Sequence, residues 1–240
     1  MLTKNIRFNG FTKKKIKKNL KIKLKNLLHE NNEVIKSLSS NYQDNYQIKK
    51  VRKNCGSNHI RLIGMGGSIL GSQTIYNFLK EKVKKKFLFI DNLVPFYKEN
   101  EKKGLTNLII SKSGNTLETI CNSNILIKKK QKNIFITENK KSYLFDLANK
   151  LKADIIYHNN FIGGRYSVLS EVGMLPAELM GLNPKKFRQL DNLIKKPSFL
   201  NSLINNVSSI LYFVKKKKFN SVILNYDQNS KWLFEWYQQL

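Results

Sequence analysis

From about residue 59 onward, short apolar runs alternate with longer segments in which apolar residues recur at helical spacing. The short runs predict five β-strands, at residues 60–63, 87–90, 107–110, 134–137 and 154–157. The segments between them predict helices near residues 68–82, 116–129 and 143–151. Strands that alternate with helices are typical of βαβ units, in which the strands are parallel and helices cover both faces. The pattern therefore predicts an α/β fold with a doubly wound parallel sheet.

The segments on either side of this region are predicted to be mainly helical. Residues 11–29 carry leucines at helical spacing between lysines, which predicts an amphipathic helix packed on the domain rather than on a membrane surface. Helical spacing continues from Gly164 to about Gly181, and Pro184 then marks a boundary because the residue before a proline disfavours helix. Beyond it the pattern predicts helices at 185–193 and 200–214, a strand at 222–224 and a last helix from Lys231.

The charge of the chain does not by itself indicate a nucleic-acid-binding protein. The 240 residues include 44 basic and 16 acidic ones, a formal net charge of +28, and 41% are hydrophobic, enough for a hydrophobic core. Only five of the basic residues are arginines, the residue type that forms bidentate contacts with phosphates and guanine. The lysines are spread among many Asn and Ile residues, as in proteins of AT-rich genomes. We therefore expect no specific nucleic-acid partner.

Membrane, secreted and metal-binding classes are also disfavoured. No apolar run approaches the roughly 18 residues of a membrane-spanning helix, and the N-terminus lacks the apolar stretch of a secretory signal. The two cysteines, Cys55 and Cys121, are too few for a disulfide framework or a four-ligand zinc site. We expect a soluble cytoplasmic protein with no membrane partner, no metal and no cofactor.

The first motif that carries chemistry is GMGGSILG, at residues 64–71, directly after the first predicted strand. Glycines at this point let the chain turn sharply and let backbone N–H groups approach an anion. A dinucleotide fingerprint, with Asp91 at the end of the next strand as ribose ligand, is one interpretation. Ile69 stands where that fingerprint has its third glycine. By itself the segment indicates only a ligand that bears a phosphate.

The second motif is SKSGNTLET, at residues 111–119, between a predicted strand and a predicted helix. Hydroxyl side chains and free N–H groups at the start of a helix form a cup that suits a phosphate monoester. Ordinary helix capping by Thr116, with Thr119 or Glu118, is the alternative. We favour the phosphate cup, because four hydroxyl residues exceed what capping needs.

The third motif is GGRYSVLS, at residues 163–170, followed by EVGMLP. Two glycines before an arginine give a backbone that can hold one guanidinium in a tight, predefined position. A structural salt bridge is the alternative role for such an arginine. Because arginine is scarce in this chain, we favour a ligand-binding role for Arg165.

Together, these three segments resemble the glucose-6-phosphate isomerase (phosphoglucose isomerase) family. GMGGSILG is similar to its first phosphate-side loop, SKSGNTLET to its sugar-isomerase (SIS) phosphate loop, and GGRYSVLSEVGMLP to its signature segment. The resemblance covers the chain from about residue 59 to its end. It implies a SIS-type, three-layer αβα sandwich at 59–182, a helical N-terminal extension at 1–58 and the start of a second SIS domain at 183–240.

The resemblance also implies roles for individual residues. Gly67 and Ser68 would contact the sugar phosphate, and Arg165 would stabilise the negative charge of a cis-enediolate intermediate. WYQQL, at residues 236–240, is similar to the family's W-x-x-Q-L segment, which makes Gln239 a substrate contact. The phosphate would be held by four residues of the second motif: Ser111, Lys112, Ser113 and Thr116.

The family's catalytic base is a Glu in an E-S-x-G-K segment beyond that Gln, and this sequence has no counterpart of it. The family's ring-opening His and late Lys also lie further on, and His29, His59 and His158 match no catalytic position. Neither Glu118 nor Glu171 matches the base. We therefore expect an N-terminal part of an isomerase that is cut within its second SIS domain and is inactive by itself.

Three functions remain open at this point. The first is aldose–ketose isomerisation of glucose 6-phosphate and fructose 6-phosphate in glycolysis and gluconeogenesis, by a protein that is a homodimer when complete. The second is a non-catalytic sugar-phosphate-binding SIS module, which the missing base favours. The third is a nucleotide-dependent oxidoreductase, which Ile69 disfavours.

Overall fold

Three helices precede the sheet in the computed structural model, which describes residues 18–55, 58–93 and 104–240. These are α1 (Lys18–His29), α2 (Glu33–Ser37) and α3 (Ile48–Asn54). The helix predicted at residues 11–29 is confirmed from Lys18 onward, and residues 11–17 lie outside the described part of the chain. Of the helices in the described ranges, none is both long and apolar enough to cross a membrane.

Five parallel strands form one sheet, and the five predicted strands are confirmed to within two residues at each end. They are β1 (His59–Gly64), β2 (Lys86–Ile90), β3 (Thr106–Ile110), β4 (Lys132–Thr137) and β5 (Asp154–Tyr157). Their order across the sheet is β2-β1-β3-β4-β5. Every neighbouring pair is parallel, so the chain crosses over after each strand. The prediction of a doubly wound α/β fold is therefore confirmed.

Within the described residues, the connections that leave β1, β3 and β4 contain helices. After β1 come a 3₁₀ turn (Gly66–Ser68), α4 (Leu70–Phe78) and a second 3₁₀ turn (Lys80–Lys82). Further along are α5 (Leu117–Leu126), α6 (Tyr143–Leu151), a 3₁₀ helix (Gly164–Leu169) and α7 (Glu171–Leu179). The remaining elements are 3₁₀ turns at Pro184–Lys186 and Gln228–Ser230 and the helices α8 (Leu190–Ile194), α9 (Pro197–Lys215) and α10 (Lys231–Gln239).

The sheet is buried on both faces. Every residue of β3 is buried, and consecutive residues of a strand point to opposite faces, so both faces must be covered. On one face, Ile63, Ile109 and Phe135 pack with Leu144 and Ala148 of α6. Burial on both faces explains why the strands read as continuous apolar runs in the sequence.

The strand order creates a switch point between β1 and β3. From β1 the chain moves outward to β2, and it then returns to the other side of β1 to form β3. The connections that leave β1 and β3 therefore diverge and open a crevice at the carboxyl ends of the two strands. In open α/β sheets, ligands bind in this crevice.

Two compact units make up the chain, and each joins residues that are distant in sequence. One contains residues 18–42 of the described chain together with Lys185–Leu224, and the other contains Gln43–Pro184 together with Asn225–Leu240. The sheet unit thus includes α3 and α10, which the predicted segments 1–58 and 183–240 assign to other domains. That residues 183–240 begin a second SIS domain stays a prediction.

The strand predicted at residues 222–224 is wrong. These residues form neither helix nor strand, and the side chains of Val222 and Leu224 are 82% and 72% exposed. A strand needs a neighbour to pair its backbone groups, and no strand within the described residues pairs with this segment.

The unit formed by α1, α2, α8 and α9 has its own contacts. Leucines of α1 and apolar residues of α9, including Ile204, line a cleft of about 300 Å³. Asp191 of α8 accepts hydrogen bonds from the Ser39 hydroxyl at 2.6 Å and the Ser40 backbone N–H at 3.1 Å. These bonds hold the pKa of the Asp191 carboxyl below its usual value.

Candidate functional site

The loop after β1 closely approaches the side chain of Gln239 and the backbone of the Arg165 segment. Gly66 has a φ of +50°, and a Cβ atom there would lie 2.8 Å from Nε2 of Gln239. A Cβ atom on Gly67 would lie 2.4 Å from the carbonyl carbon and oxygen of Gly164 and 2.7 Å from the backbone N of Arg165. The first motif is therefore a surface on which α10 and the Arg165 segment converge.

Ser68 lies at the point where β1 and β3 diverge. A Cβ atom on Gly64, the last residue of β1, would lie 3.2 Å from the Ser68 Cβ atom and 3.0 Å from the Ile110 carbonyl oxygen. Ile110 ends β3, and Ser111 begins the second loop. The sheet thus brings Ser68 and Ser111, which are far apart in sequence, to the same crevice.

The loop after β3 brings two hydroxyl groups of the predicted phosphate cup together. The side-chain oxygens of Ser111 and Thr116 are 3.0 Å apart. Thr116 is the N-cap residue of α5, but its side chain makes no capping hydrogen bond. Ser113 is exposed, and its hydroxyl oxygen accepts a bond from the Asn115 N–H at 3.2 Å. The capping alternative for Thr116 is therefore not realised, and its hydroxyl lies beside that of Ser111.

Gly114 and the start of α6 fix this loop. Gly114 has a φ of +66°, and a Cβ atom there would collide with the side chain of Ser142. Its carbonyl accepts the Leu144 N–H at 3.0 Å, and the Asn115 side-chain oxygen accepts the Tyr143 N–H at 3.0 Å. The loop is therefore shaped before any ligand binds.

Arg165 lies in the 3₁₀ helix that precedes α7, and its side chain is exposed. Its backbone carbonyl accepts a hydrogen bond from the indole N–H of Trp236, in α10, at 2.9 Å. The Ser167 hydroxyl donates to the Gly164 carbonyl at 2.6 Å. The backbone around Arg165 is thus held on several sides, while its guanidinium remains available to a ligand.

Helix α10 brings Gln239 to the site. The helix packs against α4, which follows the first motif, and the Gln239 amide lies next to Gly66. Together with the Trp236 bond, this contact places α10 against both the first and the third motif. Sequence reasoning named Gln239 and missed Trp236, although the tryptophan of the W-x-x-Q-L segment was a usable signal.

Lys112 is placed differently from the other predicted phosphate ligands. Its ammonium donates to the carbonyls of Asn160 and Ile162 at 2.8 and 3.0 Å, and it lies 3.5 Å from a carboxylate oxygen of Glu138. Its side-chain nitrogen is therefore engaged with the segment that leads to Arg165. Sequence reasoning missed Glu138 and the two carbonyls, because no motif contains them.

Glu171 and His158 form a buried pair behind the Arg165 segment. Glu171 is fully buried, and its Oε1 accepts the Asn159 N–H at 2.7 Å and lies 3.7 Å from Nδ1 of His158. The His158 Nδ1 is 2.8 Å from the Asn159 carbonyl, and burial lowers the pKa of the imidazole below its ordinary value of 6.5. Both side chains are thus occupied in holding the chain, consistent with the structural role predicted for His158.

The oxidoreductase alternative fits this geometry poorly. Ile69, at the position of the third fingerprint glycine, is a fully buried core residue. Asp91, the supposed ribose ligand, accepts a bond from the Gln73 amide of α4 at 3.0 Å. The described residues also contain no group of three or more His, Cys, Asp or Glu side chains that could hold a metal.

The strand order and the crevice at its switch point are those of a doubly wound α/β protein. The sequence model of one family, phosphoglucose isomerase, matches residues 12–240. The chain belongs to the phosphoglucose isomerase family, as the three motifs predicted.

Individual relatives agree with this family. The chain is 34% identical over 217 residues to a glucose-6-phosphate isomerase of Methanocaldococcus jannaschii, covering 83% of this chain and 53% of the relative. It is 35% identical over 184 residues to a glucose-6-phosphate isomerase of Mycoplasma genitalium, covering 70% and 42%. The chain thus spans about half the length of the curated relatives it matches. A crystal structure of a glucose-6-phosphate isomerase from Chlamydia trachomatis shares the fold, with a TM-score of 0.62, 17% identity and coverage of 85% of this chain and 47% of that one.

Proposed function

We propose that this chain supplies the sugar-phosphate-binding part of a cytoplasmic isomerase that interconverts glucose 6-phosphate and fructose 6-phosphate. The observation that carries the proposal is the meeting of three motifs and one helix end at the β1/β3 switch point. Gly66 contacts Gln239, and Gly67 contacts the backbone of Gly164 and Arg165. The geometry therefore supports a single ligand site built from residues of four separate segments.

The loop after β3 is the proposed site of the phosphate. The hydroxyls of Ser111 and Thr116 share a hydrogen bond, which leaves one O–H of the pair for the phosphate, and α5 starts at Leu117, directly after the loop. Hydroxyl donors and helix N-termini together favour a dianionic phosphate. Ser113 and the backbone N–H of Lys112 complete the proposed set.

Arg165 is the proposed stabiliser of the reaction intermediate. Isomerisation moves a proton from C2 of the aldose to C1 through an enediolate, which carries negative charge on its oxygens. A guanidinium held near those oxygens stabilises the enediolate more than the neutral sugar, and such preorganised charge accelerates the reaction. Gln239, whose amide lies next to Gly66, is proposed to hydrogen-bond the sugar.

The C2 proton needs a carboxylate base, and we propose that the base comes from outside these 240 residues. Glu171 is buried and accepts the Asn159 N–H, and Glu138 lies beside Lys112. The Glu171 carboxylate thus holds the segment that leads to Arg165, and the Glu138 carboxylate is paired with Lys112. The chain as given is therefore proposed to bind sugar phosphates without turning them over, and the homodimer of a complete protein remains part of the proposal.

A non-catalytic sugar-phosphate-binding module is the second candidate, and the occupied state of Glu171 favours it. The two candidates differ in their response to an enediolate-like hydroxamate of a five-carbon sugar phosphate. An isomerase site binds that compound more tightly than its substrates, typically by 10² or more. A simple binding module binds it no better than fructose 6-phosphate.

Titration calorimetry of the purified chain with fructose 6-phosphate, the hydroxamate and unphosphorylated fructose tests the proposal. We expect binding of both phosphorylated compounds, tighter for the hydroxamate, and none of fructose. Absence of binding by either phosphorylated compound would overturn the proposed function. Turnover of fructose 6-phosphate in a dehydrogenase-coupled assay, at an ordinary rate on the order of 10 s⁻¹, would show that the base lies within these residues.

A further inference from the structure

Lys112 belongs to the phosphate loop by sequence, but its ammonium contacts a different part of the site. The nitrogen lies 2.8 Å from the Asn160 carbonyl oxygen and 3.0 Å from that of Ile162. A carboxylate oxygen of Glu138 lies 3.5 Å away. Two of the three N–H donors of the ammonium therefore bond to carbonyl oxygens, and Glu138 lies at ion-pair distance.

The contacted segment is the one that delivers Arg165. Only Gly163 and Gly164 separate Ile162 from Arg165. The last firmly held residue before them is Ile162, whose side chain is fully buried and whose N–H donates to the Asn159 carbonyl at 3.1 Å. Lys112 therefore holds the chain at the point from which the glycines extend.

The buried side chain of Glu171 holds the same segment from the side of α7. The Glu171 carboxylate accepts the Asn159 N–H at 2.7 Å. The Lys112 carbonyl, in turn, accepts the Glu138 N–H at 3.1 Å and the Thr137 hydroxyl at 3.3 Å, which ties the lysine itself to the end of β4. Residues 159–162 thus lie between the side chains of Lys112 and Glu171, which are themselves fixed to the sheet and to α7.

From this geometry we propose that the Lys112 side chain is a positioning residue that couples the phosphate loop to Arg165. This inference rests on the proposed function, in which Arg165 stabilises the enediolate. The family resemblance implies that Lys112 holds the phosphate, but in this proposal its ammonium does not contact the phosphate. It instead fixes the distance between the loop that binds the phosphate and the guanidinium that meets the other end of the sugar.

The test compares Lys112→Met, which keeps the aliphatic stem, with Lys112→Arg, which keeps donors for the two carbonyls. Lys140→Met, at an exposed lysine of the β4–α6 connection, is the matched control for loss of one positive charge. Amide hydrogen exchange of peptides that cover residues 158–166 reports on the segment without any ligand. We expect exchange there to accelerate about tenfold or more in Lys112→Met, because local opening becomes easier, and to stay unchanged in the control.

Ligand binding then distinguishes positioning from direct phosphate contact. Lys112→Met should weaken the hydroxamate about tenfold more than it weakens glucose 6-phosphate, and Lys112→Arg should recover most of that loss. In an Arg165→Ala background, Lys112→Met should have no further effect on the hydroxamate, because the residue it positions is gone.

Three outcomes would overturn the inference: unchanged exchange in Lys112→Met, equal losses for both ligands, or an undiminished effect in the Arg165→Ala background. If the wild-type chain binds neither ligand, the proposed function fails, and the exchange measurement still decides whether Lys112 holds the segment. If Lys112→Met does not fold, Glu138→Gln leaves both carbonyl bonds and should leave exchange of residues 158–166 unchanged. Faster exchange in Glu138→Gln would then show that the ion pair, and not the carbonyl bonds, holds the segment, which also contradicts the inference.

Discussion

Gly67 and Gly164 meet backbone to backbone at the centre of the site. A Cβ atom on Gly67 would lie 2.4 Å from the carbonyl carbon and oxygen of Gly164, a distance that real Cβ contacts do not show. The opposing atoms belong to the main chain, so they cannot rotate away as a flexible side chain would. The first and third motifs therefore depend on each other for their shape, although nearly a hundred residues separate them in sequence.

Gly67→Ala should damage the site, and Gly164→Ala should not. A Cβ atom on Gly164 meets nothing within 4 Å, so the two substitutions add the same methyl group to opposite sides of one contact. We expect Gly67→Ala to lower the free energy of unfolding by about 1–3 kcal/mol through overpacking and to weaken the hydroxamate strongly. Urea unfolding and calorimetry provide the measurements. Equal effects of the two substitutions would contradict the close contact.

Ser111→Ala and Thr116→Val should each weaken sugar-phosphate binding by about 10–100-fold, since a hydrogen bond to a charged group contributes about 1.5–3 kcal/mol. The side-chain oxygens of these two residues lie 3.0 Å apart. Ser123→Ala, a buried serine further along α5, is the matched control for loss of a hydroxyl. Calorimetry with fructose 6-phosphate measures the effect. Unchanged affinity in a folded Ser111→Ala variant would remove this loop from the proposed site.

Arg165→Lys should weaken the hydroxamate by about tenfold or more, because lysine cannot reproduce the planar fork of the guanidinium. It should leave the affinity for glucose 6-phosphate nearly unchanged, since the interaction is strongest with the charged intermediate. In a protein that catalyses the reaction, the same substitution should lower kcat more than it raises KM. Equal losses for substrate and hydroxamate would make Arg165 a simple anchor.

The fold was largely predictable because the sheet is buried on both faces. Such strands are continuous apolar runs, and β5 was predicted at the bounds that the structure shows. Helix α6 was also predicted at its observed bounds, because Ser142 accepts the Phe145 N–H at its start and Lys152 adopts a left-handed conformation at its end. The apolar residues 222–224 satisfied the same strand pattern, but pairing in a sheet is a tertiary property that a local pattern does not contain.

The candidate site was predictable only where a motif carries it. Ser111, Thr116 and Arg165 belong to short segments whose glycines and hydroxyl residues form recognisable motifs in the sequence. The bond from Trp236 to the Arg165 carbonyl and the bonds from Lys112 to residues 160 and 162 join distant segments. Such contacts depend on how helices and loops pack, so no pattern in a single sequence predicts them.

Sequence patterns also gave no sign of a polar ladder inside the sheet, which yields a stability prediction. The buried Arg61 of β1 donates through Nε to the Asn107 side-chain oxygen at 2.9 Å, and the Asn107 amide donates to Asn133 at 2.7 Å. These residues are neighbours on three adjacent strands. Asn107→Leu should lower the free energy of unfolding by about 3 kcal/mol or more, because it leaves a buried guanidinium N–H without its acceptor.

A double substitution provides the control for that prediction. In Arg61→Met the buried charge is absent, so adding Asn107→Leu should cost much less than it costs in the wild-type chain. Denaturant unfolding of the four variants measures the coupling. Additive losses would show that the two side chains do not depend on each other.

Stability should fall as the pH is lowered below about 6.5, and His158 should account for part of the loss. Burial lowers the pKa of this imidazole in the folded chain, so in the window just below 6.5 the unfolded chain binds more protons than the folded one. Unfolding is then favoured as the pH falls, until the pH passes the lowered folded-state pKa. His158→Gln should flatten this part of the pH profile of urea unfolding. A profile that keeps its slope in His158→Gln would assign the effect to other groups.

The contact between Gly66 and Gln239 has a consequence for how the chain is made. The two residues stand near opposite ends of the sheet unit's sequence. The side of the crevice that α10 forms is therefore the last part of these 240 residues to leave the ribosome. The Gln239 side of the crevice is complete only when α10 packs against α4. During synthesis, the phosphate loop is therefore made well before Trp236 and Gln239, the residues through which α10 contacts the third and the first motif.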